Sequence, residues 1–216
     1  MPLAEKWNGT AWSVQEPPSP TGAKSSLLAG VSCTSSTACI AAGYFNNSSG
    51  TYLPLAEKWN GTTWSIQEIA LPIGGKYGVL GSVSCASSTA CVAVAYFENS
   101  AGKTVPLSER WNGTTWSAQE LPSPTKAQYS VLYGVSCAAS TECVATGYYE
   151  NGPEEPVPLA EAWNGTTWAV QEPPIPAGAK YTILGGVSCT SDTECASVGY
   201  FKNSTLKFVS LAERYL

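Results

Sequence analysis

The chain of 216 residues contains no histidine and few charged residues. Without histidine it has no Ser-His-Asp or Cys-His catalytic arrangement, no histidine-ligated metal site and no imidazole that titrates near neutral pH. Charged residues make up 12% of the chain, about half of the roughly 25% usual in globular proteins. The 11 basic residues form no run that could follow a phosphate backbone. We therefore expect no metal, no cofactor and no nucleic-acid partner.

Long apolar stretches are also missing. No run approaches the roughly 20 residues that a transmembrane helix needs, so we expect no membrane span. The sequence opens without a signal peptide, because Met1-Pro2 leads straight into patterned sequence. If the parent protein is exported, we expect this chain to be a mature or excised fragment.

What the chain does contain is a repeat of 52 residues. The first tryptophan of each copy recurs at this interval without insertion or deletion, at Trp7, Trp59, Trp111 and Trp163. The copies span 3–54, 55–106, 107–158 and 159–210, and 211–216 begins a fifth. A fixed period of about this length indicates stacked or radially arranged supersecondary units. We therefore expect one domain over 1–216.

Each copy contains four short strand-like runs, which we call strands A to D. In one representative period they are 79–85, 91–97, 105–111 and 115–120. Strands C and D flank Asn112-Gly113, a dipeptide typical of two-residue type I′ hairpins. Four antiparallel strands in a unit too small to bury both faces are typical of a propeller blade. The sequence thus predicts an all-β propeller with four blades of four strands.

The ends of the chain predict how the ring closes. The chain begins with strands C and D and ends with strands A, B and C. We expect the N-terminal D strand, 12–16, to be donated to the last blade, which would remove the exposed sheet edges. Strand C is supplied twice, by 3–7 and by 211–215, and we expect the N-terminal copy to be used. A closed monomer is favoured, and an eight-bladed ring of two chains is the alternative.

The motifs also resemble a known family. The run Trp59-Asn60-Gly61-Thr62-Thr63-Trp64, followed by Pro72 and preceded by the small pair Ala42-Gly43, is similar to the kelch repeat. The same turn resembles an Asp-box hairpin. The resemblance implies blade topology and a binding platform. It also includes a copper enzyme, galactose oxidase, but this sequence has no histidine to hold such a copper. The kelch diglycine is incomplete here, and Ala95 replaces its second glycine in one copy.

The eight cysteines form one Cys-x5-Cys pair in each copy. The strict repetition favours one pairing copied four times across the A–B turn, because antiparallel neighbours bring Cβ atoms within disulfide distance. We predict the disulfides Cys33–Cys39, Cys85–Cys91, Cys137–Cys143 and Cys189–Cys195. Metal binding by thiolates is the alternative, but two cysteines without histidine cannot complete a tetrahedral site locally. Disulfides predict an extracellular location, secreted or at the cell surface.

Two other recurrent residue types, tryptophan and glutamate, could take part in binding or catalysis. The paired tryptophans, such as Trp111 and Trp116, could stack sugars, but packing between blades explains them as well. A glutamate recurs on the same face, at Glu5, Glu57, Glu109, Glu161 and Glu213. Neighbouring carboxylates could act as acid and base, but we expect buried, hydrogen-bonded side chains instead. Because Asp192 is the only aspartate, we predict that the chain is not an enzyme.

The connections from strand D to strand A are the predicted ligand-binding region. They span 17–26, 69–78, 121–130 and 173–182, and should share one face with the variable connections from B to C. Their recurrent side chains are the predicted site residues: Lys24, Lys76, Lys180, Tyr77, Tyr129 and Tyr181.

Composition suggests what this region binds. Neutral sugars are recognised by aromatic stacking and neutral hydrogen-bonding groups, and both are abundant in this charge-poor chain. We therefore predict a non-catalytic, lectin-like binding module with a glycan or a protein surface as its partner. The alternative is a structural or protein-interaction scaffold without a small-molecule ligand, such as a piece of a longer or engineered array.

Overall fold

The computed structural model describes residues 1–125, 127–152, 156–191 and 193–215. Within these ranges the chain forms β-strands and no helix, and hence no helix with the length and apolarity needed to cross a bilayer. The strands are β1 (Ala4–Trp7), β2 (Trp12–Gln15), β3 (Ser25–Ser35), β4 (Ala38–Asn46), β5 (Tyr52–Trp59), β6 (Trp64–Gln67), β7 (Gly78–Ser87), β8 (Ala90–Glu98), β9 (Thr104–Trp111), β10 (Trp116–Glu120), β11 (Tyr129–Ala139), β12 (Glu142–Glu150), β13 (Val157–Trp163), β14 (Trp168–Gln171), β15 (Tyr181–Cys189), β16 (Cys195–Lys202) and β17 (Phe208–Tyr215).

The strands pair with their neighbours in sequence. Strands β3 to β6 form the first sheet, β7 to β10 the second and β11 to β14 the third, and all pairs within them are antiparallel. One parallel bridge, Tyr129 to Thr104, joins the second and third sheets. The last sheet has three strands, β15 to β17, and β1 with β2 forms a separate N-terminal hairpin. The all-β prediction is confirmed, whereas the described strands do not form four sheets of four.

The predicted donation of 12–16 to the last sheet is not present. Strand β2 pairs with β1 instead, with Trp12 opposite Trp7. The hairpin closes locally because the side-chain oxygen of Asn8 accepts the backbone N–H groups of Thr10 and Ala11. The N-terminal copy of strand C keeps its hairpin, but it lies outside the last sheet, contrary to the expectation that it would be the copy used there. That sheet ends with its own copy, β17.

The turn between strands C and D is longer than predicted. Trp111 pairs directly with Trp116, which leaves four residues in the loop instead of the two of a type I′ turn. The side-chain oxygen of Asn112 accepts the N–H groups of Thr114 and Thr115, both at 2.9 Å, and Gly113 adopts φ +101°. Asparagine commonly caps a turn in this way, and the positive φ requires glycine. The two tryptophans therefore lie side by side on one face of the sheet.

The four predicted disulfides are present. Each joins the paired ends of strands A and B, Cys33–Cys39, Cys85–Cys91, Cys137–Cys143 and Cys189–Cys195, and no described cysteine is free. The cysteines are directly opposite in the ladder, with Cα atoms 3.9–4.0 Å apart. They therefore hold each A–B hairpin at the same end of its sheet.

The core lies between neighbouring sheets. We call the side of a sheet that meets the preceding sheet its front face, and the opposite side its rear face. The front face of the second sheet, with Leu80, Ala93 and Leu107, packs against Ile40 and Ala56 of the first sheet. Its rear face packs against the front face of the third sheet in a second core, which includes Val92, Val94, Leu132, Ala145 and Leu159. Each sheet thus completes the core of the next.

One hydrogen bond recurs at each of these interfaces. The hydroxyl oxygen of a strand A serine accepts the backbone N–H of the first disulfide cysteine in the next sheet, at 2.9–3.0 Å. The pairs are Ser32 with Cys85, Ser84 with Cys137, and Ser136 with Cys189. A side chain added at Gly81 would come within 3.3 Å of the carbonyl oxygens of Leu132 and Tyr133. Strand A of each sheet therefore packs closely against strand A of the next sheet.

We expect Ser84→Ala to lower the free energy of unfolding by about 1 kcal/mol, because the N–H of Cys137 would lose its partner inside an interface. Ser188→Ala is the matched control, since Ser188 occupies the same place in the last sheet, is exposed and has no following sheet. Denaturant unfolding of the oxidised, dilute protein measures both. Equal losses in the two variants would contradict a specific contact between sheets.

Candidate functional site

The predicted site residues lie where strand A begins beside the end of strand B. The backbone N–H of Lys24 donates to Asn46, that of Lys76 to Glu98 and that of Lys180 to Lys202. Gln128 makes the same bond to Glu150 in the third sheet. Each D-to-A connection therefore ends next to the start of a B-to-C connection. Residues 126 and 153–155 of these connections lie outside the described residues.

The three predicted lysines have different surroundings. Lys24 and Lys180 are exposed, and no ion pair involves them within the described chain. Lys76 donates to the carboxylate of Glu98 at 2.7 Å. Beside Tyr181 it is Lys202 that contacts aromatic rings, since its Nζ lies 5.0 Å from the ring centres of both Tyr181 and Phe208. Sequence reasoning did not single out Lys202.

The three predicted tyrosines belong to a larger group that we call the tyrosine face. It combines three tyrosines at or just before the start of strand A with four from strand B and one from a bulge, and it consists of Tyr44, Tyr77, Tyr96, Tyr129, Tyr133, Tyr148, Tyr181 and Tyr200. The strand B members recur every 52 residues, one in each sheet. That recurrence, as regular as that of the cysteines, is the signal that sequence reasoning overlooked.

The rings of the tyrosine face contact one another within each sheet. In the third sheet, the ring centre of Tyr148 lies 5.8 Å from that of Tyr129 and 5.9 Å from that of Tyr133. In the last sheet, Tyr181 stacks on Tyr200 with ring centres 6.1 Å apart. Such distances are typical of favourable aromatic pairs. The hydroxyls are partly paired as well, since that of Tyr77 lies 3.2 Å from the hydroxyl of Thr104.

Tyrosines of different sheets influence one another's pKa. Burial, reinforced by the phenols of Tyr129, Tyr133, Tyr77 and Tyr44, raises the pKa of Tyr96 to about 12. Burial and neighbouring phenols also raise the pKa of Tyr148 and of Tyr181. The first, second and third sheets thus bring phenols close enough to influence one another. The phenols of Tyr96, Tyr148 and Tyr181 are therefore neutral at physiological pH.

The tyrosine face is shallow. Tyr133 and Tyr200 are each 39% exposed, and the other members are half-buried. The larger concave spaces lie elsewhere and contain no tyrosine of this group. One is an open groove of about 600 Å³ between the N-terminal hairpin and the first sheet, and another of about 170 Å³ lies between the third and last sheets. A ligand of the tyrosine face would therefore rest on a surface.

The recurrent glutamates lie inside the array. Glu57, Glu109 and Glu161 are at most 1% exposed. They pair across the ladder with Ala41, Ala93 and Ala145 on the front faces. Both carboxyl oxygens of Glu57 and Glu161 have no hydrogen-bond partner within the described protein, contrary to the expectation of bonded carboxylates. Burial raises the pKa of Glu57 to about 7, of Glu109 to about 8 and of Glu161 to about 9.

The tryptophans fill the same interfaces. Trp59, Trp111 and Trp163 are 4–6% exposed, and each lies 5.4–5.7 Å from its strand D partner. A cation from the preceding sheet covers two of them, because Lys58 lies over Trp111 and Arg110 over Trp163. Only the hairpin pair is open to solvent, with Trp7 49% and Trp12 66% exposed. Packing rather than sugar stacking accounts for the buried tryptophans.

Comparison with known proteins concerns the fold. No protein-family model and no curated protein matches this chain. Among solved structures, the SapL1 lectin in complex with α-methyl fucoside aligns with 99% of this chain and 71% of its own, at a TM-score of 0.51 and 15% identity. The chain also resembles a Trypanosoma rangeli sialidase in complex with difluorosialic acid, over 98% of this chain and 37% of that one, with TM-score 0.52 and 8% identity.

A Hadza microbial sialidase aligns with 96% of this chain at a TM-score of 0.51 and 12% identity. The chain spans less than half the length of either sialidase, 37% and 42%. These neighbours are β-propeller proteins, both lectins and enzymes. The likeness is one of fold. It agrees with a propeller repeat, whereas the kelch-like resemblance remains a prediction.

The buried glutamates predict that stability falls as pH rises. The unfolded chain loses the Glu109 proton near pH 4.5, but the folded chain keeps it until about pH 8. The folded state binds more protons in that window, so each such group lowers stability by about 1.4 kcal/mol per pH unit. Glu109→Gln should flatten the measured dependence of unfolding free energy on pH between these values. Glu5→Gln, at the exposed equivalent position in the hairpin, should leave the slope unchanged; equal slopes in all three proteins would contradict the assignment.

Proposed function

We propose that this chain is a non-catalytic carbohydrate-binding module of the β-propeller type, and that the tyrosine face is its ligand surface. The observation that carries the proposal is the convergence of eight tyrosines from four sheets on one half-exposed surface. A rigid, disulfide-held scaffold presents them next to the variable B-to-C connections.

The chemistry of this surface suits neutral sugars. Tyrosine offers an apolar ring for the C–H side of a sugar and a hydroxyl that donates and accepts hydrogen bonds. The raised pKa values of Tyr96, Tyr148 and Tyr181 keep those phenols uncharged. Lys202 adds one cation beside Tyr181, where it can donate to a sugar hydroxyl.

In this proposal the predicted residues have unequal roles. Tyr77, Tyr129 and Tyr181 contribute rings to the binding surface. Lys24 and Lys180 lie at its edge and can reach a bound glycan from the exposed ends of the connections. Lys76 is held by Glu98 and orders its connection instead. Because equivalent tyrosines recur from sheet to sheet, we expect several weak sites rather than one deep one.

The disulfides support an extracellular setting for this function, because disulfides persist in oxidising compartments. We further propose that each set of strands A to D, which recurs every 52 residues, is one blade. The repeated contacts between successive sheets support this view, since they have the same form at each internal interface. The kelch-like resemblance would account for the binding-platform role.

Catalysis by the recurrent carboxylates has little support. Glu57, Glu109 and Glu161 lie between sheets at no more than 1% exposure, so a substrate on the surface could not contact them. A scaffold role is the second candidate, and the open faces at the two ends of the array favour it. A scaffold would bind a protein surface and would be indifferent to changes in the tyrosine face.

The proposal is tested by placing the oxidised protein on a broad glycan array and titrating the best neutral glycan. Tyr129→Ala and Tyr181→Ala should each weaken binding by about tenfold, roughly 1.4 kcal/mol, because each removes a ring from the surface. Tyr148→Phe keeps the ring and should separate stacking from hydrogen bonding by its smaller effect.

Trp12→Ala is the control, because Trp12 is an exposed aromatic residue outside the tyrosine face. It should bind like the unmodified chain. Absence of binding to any glycan would overturn the proposed function. Unchanged binding in both alanine variants would place the site elsewhere, and a loss with Trp12→Ala would point to the hairpin instead.

A further inference from the structure

The last sheet exposes a rear face that is buried in every other sheet. Val198 is 56% exposed, whereas the residues at the same position, Ala42, Val94 and Thr146, are at most 1% exposed. Its ladder partner Ala212 is also exposed, although Ala56 at the equivalent place is fully buried. The side chains on this face are therefore of the interface type, but no sheet follows them in the described chain.

The first sheet is open at the complementary place. Val31 on its front face is 62% exposed, whereas Val83 and Val135 at the same position are 5% and 6% exposed. This residue lines the groove of about 600 Å³ together with Leu28, Cys33 and the N-terminal hairpin. The hairpin corresponds to strands C and D of a preceding sheet. The groove is thus the space that strands A and B of such a sheet would fill.

The outer half of that preceding sheet is already in position. Lys6 of β1 lies 5.4 Å from the ring centre of Trp59, as Lys58 lies over Trp111 in the next interface. The indole of Trp64 donates to the side-chain oxygen of Gln15 in β2 at 2.8 Å. The hairpin therefore packs on the first sheet as a C–D pair should. Only the A–B pair is missing beside it.

The last sheet contains an A–B pair of the required form. Strands β15 and β16 are paired and are joined by Cys189–Cys195, so they already form the A–B pair that the groove lacks. Ser188 has the position of the serines that accept the N–H of a cysteine in the following sheet. Cys33 has the position of the cysteines that donate, and the preceding serine is absent at its interface. The last sheet and the first sheet therefore carry the two complementary surfaces that form each internal interface.

We propose that two copies of this chain associate head to tail, with β15 and β16 of one copy filling the groove of the other beside β1. The rear face around Val198 then covers the front face around Val31, and Ser188 accepts the N–H of Cys33 across the contact. Both surfaces become buried as they are at the internal interfaces. This association is independent of the proposed glycan binding.

Strand C is present in both partners, and only one copy can pair with β16. We assign this place to β1, because β1 brings β2 with it and carries Trp7. The indoles of Trp59 and Trp111 each donate to a carbonyl in their own A–B turn at 3.2 Å, and Trp7 has no such turn in its hairpin. Position 215 carries tyrosine, which has no ring N–H. The segment 211–215 is therefore displaced in the assembly.

Such an interface joins two different surfaces, so in a pair of copies each copy still has one of its two surfaces exposed. Further copies can add to these surfaces unless the assembly closes into a ring. Light scattering over micromolar to submillimolar concentrations should therefore show multiples of the 22.6 kDa chain. Val31→Glu and Val198→Glu should each yield monomers. Both positions are exposed in the single chain, so neither substitution should prevent folding. Ile73→Glu, at a fully exposed residue in a D-to-A connection, is the control and should associate like the unmodified chain.

The decisive measurement is a mixture of the two monomeric variants. Val31→Glu retains an intact last sheet, and Val198→Glu retains an intact groove, so together they should form a dimer with a single interface. Removal of 211–216 should leave association intact, with correct disulfides by mass confirming the fold. An unmodified chain that stays monomeric at all concentrations would overturn the proposal, in favour of closure within one chain. A mixture that does not associate would show that other surfaces join the copies, and loss of association on removing 211–216 would refute the exchange of strand C.

Discussion

The structure depends on the burial of each sheet against the next. A single unit of four short strands has two apolar faces and cannot cover either by itself. In the array, the rear face of each sheet packs against the front face of the next sheet, and both become buried. At each of these interfaces a hydrogen bond from a cysteine N–H to a serine hydroxyl joins the A strands of the two sheets at the same position. The register of each strand matters here, because a one-residue shift in its pairing would turn its apolar positions away from the neighbouring sheet.

This arrangement brings equivalent positions to every interface, with different consequences at different depths. In the middle of the interfaces it buries one glutamate in each of the first three sheets, and burial raises the pKa of Glu109 to about 8 and of Glu161 to about 9, so that these two carboxyl groups remain protonated at neutral pH. At the end away from the disulfides it collects tyrosines from strands A and B into one surface. At the two ends of the array it leaves apolar faces open. The packing of sheet on sheet thus accounts for the buried glutamates, the tyrosine face and the exposed apolar faces at the two ends.

The fold does not decide the function. Lectins and sialidases occur among proteins of similar fold, and the identities of 8–15% carry no site residues across. The chemistry must be argued from this chain's own surface, where tyrosine rings and hydroxyls are grouped, whereas the recurrent glutamates Glu57, Glu109 and Glu161 are buried. Recognition by rings and hydroxyls follows from that surface. The regular recurrence of the phenols favours many equivalent contacts over one deep pocket, which agrees with the position of the larger grooves elsewhere.

By itself, the sequence determined the features that repeat locally. The period, the strands, the all-β class and the four disulfides follow from spacing, because partners six residues apart across a turn meet whatever the rest of the chain does. The depth of Glu109, the convergence of Tyr96 with Tyr129 and the pairing of β2 with β1 depend on how separate sheets approach one another. Spacing along one strand says nothing about those distances. Only the packing of one sheet on the next decided them, and it left the two ends of the array open.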